Sequence, residues 1–162
     1  MGALYIATPK TSHAITEVAT GTSVKTVLQV ATPSTTDIRV CGWGISFDGT
    51  APSAAPGICV LIDVDVAATV TALSPDDWGS DDNQSSLCVS GTSATGYNAS
   101  AEGSIGGSRV LDPQEVHPQS GYSVWFPDRA LPRVKASRFL RIRCTFAADV
   151  NSVPWIVWRE PA

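Results

Sequence analysis

Side chains able to do acid–base or metal chemistry are sparse in this chain, and their spacing narrows what they can do. There are two histidines. His117 sits in Val116-His117-Pro118, at a strand end before a turn, and His13 has no partner implied nearby. General acid–base catalysis needs an oriented partner group, so His117 reads as a turn residue bonded to backbone. Asp76, Asp77, Asp81 and Asp82 form an acidic cluster. Calcium takes roughly six to eight oxygens, but the spacing is not that of a D-x-D-x-D-G loop with a closing Glu. The cluster therefore reads as a solvated acidic loop. Asp63 and Asp65 share one strand face and are expected to point outward. Paired carboxylates can hydrolyse glycosides, yet no cleft or sugar-stacking aromatic can be placed beside them. No G-x-S-x-G, P-loop or H-E-x-x-H motif occurs. These readings predict a protein that is not an enzyme, with no catalytic residue, no metal site and no cofactor.

The four cysteines, Cys41, Cys59, Cys88 and Cys144, form no CxxC pair and lack a histidine to complete a zinc site. Three of them lie in apolar, strand-like runs, where free Cys behaves as a small buried hydrophobe. The segment Met1–Lys10 shows no basic stretch ahead of an apolar core, so no secretory signal is read. Synthesis in the cytoplasm with reduced thiols is the expectation, although four cysteines admit three pairings. The net charge of −4 argues against a nucleic-acid partner. No apolar run approaches the ~18 residues of a membrane span. Arg129, Arg133, Lys135, Arg138, Arg141 and Arg143 hold six of the eleven positive charges. Arg138, Arg141 and Arg143 read either as a patch for an acidic protein partner or as a solvated sheet face. Charged residues make up only 16 % of the chain. That suits a surface partly covered by partners, because interface cores are depleted in charge, and equally a small β domain solubilised by Ser and Thr.

The elements that must position these residues are strands. With 13 Gly and 11 Pro scattered along 162 residues, long helices are excluded. Period-two alternation marks strands at Val24–Val30, Asp37–Phe47, Gly57–Val66, Tyr122–Phe126, Leu140–Phe146 and Val153–Arg159. Within Asp37–Phe47 the apolar face switches near Cys41-Gly42, which predicts a bulge. The fold class is all-β: an antiparallel β-sandwich, jelly-roll-like, with an extended N-terminal arm. Residues 1–20 are the arm and 21–162 a single domain carrying a long polar loop at about 74–107. In the arm, Leu4, Tyr5 and Ile6 offer a short apolar plug for a partner surface. In the loop, Trp78 and Tyr97 are candidate interface residues.

Several segments resemble a family of small structural proteins of tailed bacteriophages. They are Thr22–Val30 followed by Pro33-Ser34, and above all Trp43-Gly44-Ile45-Ser46-Phe47-Asp48-Gly49. Val116-His117-Pro118 with Gly121, then Pro127, Pro132 and Arg141-Ile142-Arg143, and the closing Trp155–Glu160, extend the resemblance over about residues 20–160, the middle loop excepted. The resemblance implies a capsid decoration (head auxiliary) protein or related virion component. It would bind the major capsid protein on the outer shell, often as a homotrimer. A receptor- or carbohydrate-binding jelly-roll module of a phage tail or fibre is the alternative, with Trp78 and Tyr97 as its sugar platforms.

Overall fold

The structure is a computed structural model that describes residues 2–49, 55–79 and 84–161. Asp81 and Asp82 of the acidic cluster lie outside the described residues. The protein is all-β, and the strand ladders among the described residues are antiparallel. In chain order the strands are β1 (Leu4–Ala7), β2 (Lys10–Thr11), β3 (Ala14–Ile15), β4 (Val18–Ala19), β5 (Lys25–Ala31), β6 (Ile38–Phe47), β7 (Gly57–Val64) and β8 (Thr69–Ala72). They continue with β9 (Asp76–Asp77), β10 (Gly96–Ala101), β11 (Ser108–Val116), β12 (Tyr122–Trp125), β13 (Arg133–Val134), β14 (Phe139–Thr145) and β15 (Asn151–Arg159). Sheet I has the order β12-β6-β15-β1-β9, with β13 added to β6 and β4 to β15. Sheet II has the order β11-β7-β14-β5-β10-β8, and β2-β3 is a separate small hairpin.

One core lies between the two sheets. Tyr5, Trp43, Ile45, Ile156 and Trp158 of sheet I meet Leu28, Val30, Leu61, Leu140 and Ile142 of sheet II. The bulge expected in β6 is present. Trp158 stands opposite Val40 and Val157 opposite Gly42, which leaves Cys41 as the extra residue. The bulge lets Ile38 and Val40 before it, and Trp43 and Ile45 after it, all enter the core. In β7 both faces become covered toward the end of the strand. Cys59 and Leu61 join the core between the sheets and Ile62 and Val64 on the other face are buried as well, whereas Ile58 at the start is exposed.

Two expectations are corrected by this arrangement. First, Leu4, Tyr5 and Ile6 are not part of an arm outside the sandwich. They form β1 between β15 and β9, with Tyr5 level with Trp158 and only 2 % exposed. The long strand β15 leaves one edge unpaired at this level, and β1 supplies the missing hydrogen bonds. Second, Asp63 does not point to solvent. It is 3 % exposed and ion-paired with Arg138 at 2.6 Å and Arg109 at 3.1 Å. The 74–107 segment is also less loop-like than read, because it contributes β9 and β10.

Since Tyr5 is a core aromatic, Tyr5→Ala is expected to cost about 3–5 kcal/mol, the range for large aromatics cut to Ala. For a chain of this size that lowers Tm by more than about 6 °C. Thermal unfolding followed by circular dichroism checks it; an unchanged Tm would show that β1 adds nothing to the domain.

Candidate functional site

The charged groups on the outer face of sheet II are braced by the chain's own groups, with Arg141 Nε the one buried polar atom left without an acceptor there among the described residues. Glu102 accepts from the Thr26 hydroxyl at 2.7 Å, the Thr26 N–H at 2.9 Å and Arg143 Nε at 2.9 Å. Arg141, fully buried, donates to the backbone carbonyls of Glu102 at 3.0 Å and Val66 at 2.5 Å. Its guanidinium also lies 3.6 Å from the Glu102 carboxylate. Burial pulls the Arg141 pKa down, and Glu102 opposes the shift. A charge this deep is tolerated only when paired. Asp65, beyond β7, accepts N–H bonds from Gly107 and Gly106, which hold its carboxyl below the usual range. Arg138 is committed to Asp63. The expected patch of Arg138, Arg141 and Arg143 is therefore a set of internal braces, and Arg141 has no surface to offer a partner. Tyr97 is also corrected. It is buried on β10, between β5 and β8, with its hydroxyl 3.4 Å from that of Thr11.

The outer face of sheet I is different. Inward positions of β6 carry Trp43 and Ile45, so the outward ones are Gly42 and Gly44. Across the sheet Trp125 of β12 stands opposite Gly42, and Trp155 of β15 opposite Gly44. A Cβ at Gly42 would lie 2.8 Å from the Trp125 ring, and one at Gly44 2.5 Å from Trp155 Nε1. Only glycine lets both indoles lie flat on the strand. Trp78 follows β9 from the far edge, anchored by its N–H to the Leu4 carbonyl at 2.9 Å. Its ring stacks on Trp125 with centroids 5.3 Å apart, and Trp125 lies 5.2 Å from Trp155. Such pairs hold each other by about 0.5–1.5 kcal/mol beyond burial. Even so, Trp78 and Trp125 remain 50 % and 52 % exposed.

Two polar regions flank the tryptophans. On one side a groove of about 380 Å³ is lined by Ser46, Ser120, Ser123, Tyr122 and Trp155. The Tyr122 hydroxyl donates to Asp112 at 2.9 Å, and Trp43 Nε1 donates to the same oxygen at 2.9 Å. Burial, then the bond to Asp112, pushes the Tyr122 pKa up to about 12. On the other side Arg133, Arg39 and Arg159 stand abreast on β13, β6 and β15. They line a cavity of about 480 Å³ with Asp37 and Glu160. The Asp37 carboxyl is held below its usual range by the Ala136 N–H and by Arg133.

Of the residues singled out in the sequence, only Trp78 belongs to this face as an exposed group; Leu4 and Ile6 are half-buried. Trp125, Trp155, Arg39 and Arg159 were missed. The signal for them is Gly42-x-Gly44 bracketing an inward Trp43: two outward glycines on a strand ask what lies on them.

Fold and face together define a two-sheet antiparallel β protein with one surface of internally braced charge and one surface of exposed tryptophan and arginine. No family model, no curated protein and no solved structure matches the chain.

Two outcomes follow from this geometry. Gly44→Val should displace Trp155, break its contact with Trp125 and cost about 1–3 kcal/mol through overpacking. Near-ultraviolet circular dichroism reads the loss of indole coupling, and an unaltered spectrum would contradict the stack. For Tyr122, both folded and unfolded states keep the phenol proton below pH 10. Between pH 10 and about 12 the unfolded state loses it first, so stability falls as pH rises. Urea midpoints across that window should drop in the parent and drop less in Tyr122→Phe.

Proposed function

We propose that this chain is a structural virion protein, a capsid decoration protein that binds the outer surface of a tailed-phage head as a homotrimer. Its docking surface is the outer face of sheet I and its partner the major capsid protein. The observation that carries this reading is the stack of exposed Trp78 and Trp125 on half-buried Trp155, beside the arginines of β6 and β15. Trp and Arg are the side chains most enriched at interface hot spots, and exposed aromatics in contact with one another mark interaction surfaces. The sequence resemblance supports the virion assignment. The strand orders β1-β15-β6-β12 and β5-β14-β7-β11 support the jelly-roll form of the sandwich. Cementing needs no catalytic group. Three copies around an axis reuse one patch, and several weak contacts gain avidity.

A second reading, a carbohydrate-binding module, is favoured by the serine-lined groove next to Trp155. Co-sedimentation with empty phage heads separates the two. On the decoration reading the protein binds the shells, Trp125→Ala weakens binding by about 2 kcal/mol or more, roughly 30-fold, and light scattering finds trimers in solution or on the shell. Glycan-array binding that Trp125→Ala abolishes, with no shell binding, would replace it.

A further inference from the structure

The arginine row beside the tryptophans has a feature that the fold does not need. Arg133, Arg39 and Arg159 are direct neighbours in register across three adjacent strands. Like charges directly opposite each other on a sheet are destabilising. The chain pairs the outer two directly, whereas, among the described residues, Arg39 has the field of Asp37 but no direct ion pair. Arg133 is ion-paired with Asp37, and Arg159 has a long contact of 3.7 Å to Asp128. Among the described residues the central Arg39 makes no ion pair, and it is exposed.

The acidic groups that line the same cavity already carry hydrogen bonds, Asp37 in part from Arg133 of the row itself. One oxygen of Asp37 receives the Ala136 N–H and the other Arg133. Glu160 is buried and accepts from the Ser86 hydroxyl, the Leu87 N–H at 2.9 Å and Trp158 Nε1 at 3.1 Å. Meanwhile Arg159 Nε is shielded from solvent and has no acceptor. The cavity, about 480 Å³, thus holds guanidinium donors in excess of free acceptors, on a protein whose net charge is −4.

We infer that the Arg133–Arg39–Arg159 cavity is a carboxylate-binding site that receives an acidic side chain from a partner polypeptide, with Arg39 as its principal contact. A planar guanidinium matches a carboxylate in bidentate fashion. Engaging one at Arg39 would relieve the like-charge row. The adjoining tryptophans would take the apolar part of the same segment. The inference rests on the docking role proposed for this face and specifies what the partner presents to it.

The test uses the full chain and hexaglutamate, N-acetylated and C-amidated, with hexaglutamine and inorganic phosphate as comparison probes. Calorimetry measures affinity, and nuclear magnetic resonance follows the arginine Nε–H signals. Saturable binding of hexaglutamate with movement of the Arg39 signal is expected. Arg39→Gln should weaken it at least tenfold, and Arg129→Gln, the same charge loss on an exposed turn, less than twofold. Hexaglutamine should not bind. Equal weakening by both variants would reduce the effect to unspecific charge and overturn the site. Binding of phosphate but not hexaglutamate would overturn the carboxylate assignment. If hexaglutamate binds as expected while phage heads do not, the carboxylate site stands and the shell reading falls. If heads bind and hexaglutamate does not, the reverse holds.

Discussion

Strand β6 has to satisfy opposite demands on its two sides. On one side Trp43 and Ile45 must reach the core between the sheets, and on the other the strand must lie bare enough for two indoles to rest on it. The glycines at 42 and 44 meet the second demand. The bulge at Cys41 reconciles the first with the earlier inward residues Ile38 and Val40. A one-residue slip would reverse every side chain of the strand, turning Trp43 and Ile45 outward, onto the ground the two indoles occupy, and leaving glycines toward the core. The register of β12, β13 and β15 on β6 then fixes where the remaining surface groups fall: tryptophans over the glycines, arginines in the row beyond the bulge.

The two outer faces of the sandwich divide the work. Sheet II carries much of the chain's charge, but that charge is turned inward on itself, with Arg141 and Arg143 on Glu102 and Thr26 joining them. Such a face is costly to strip of its partners and has little left to offer a ligand. Sheet I leaves aromatic area and the Arg39 guanidinium, which makes no direct ion pair among the described residues, in solvent. Tryptophan is rigid and already stacked here, so little side-chain entropy remains to be lost on docking. On the proposed reading, this asymmetry, more than any single residue, is what makes sheet I the docking face.

Strand content, the antiparallel sandwich and the β6 bulge were legible because alternation and a face switch are local signals. Three things were not. Leu4–Ala7 is too short to show a period, and its burial depends on an edge that β15, at the other end of the chain, leaves open. Asp63 looks like a solvent-facing carboxylate until Arg109 and Arg138, distant in sequence, close on it. Arg141 alternates like a solvated arginine, yet Glu102 and Val66 cover it. In each case the deciding partner is long-range. The tryptophan face was half legible: Gly42-x-Gly44 runs into the Trp43–Gly49 segment, but which indoles lie on it follows only from strand pairing.

The central claim is that recognition runs through the outer face of sheet I. Hydroxyl-radical footprinting of the protein free and bound to empty phage heads tests it residue by residue. The account expects protection of Trp78, Trp125 and Trp155 on binding, with Ile58 and Arg143 on sheet II unchanged. Protection confined to sheet II, with the three tryptophans as reactive as in the free protein, would contradict it.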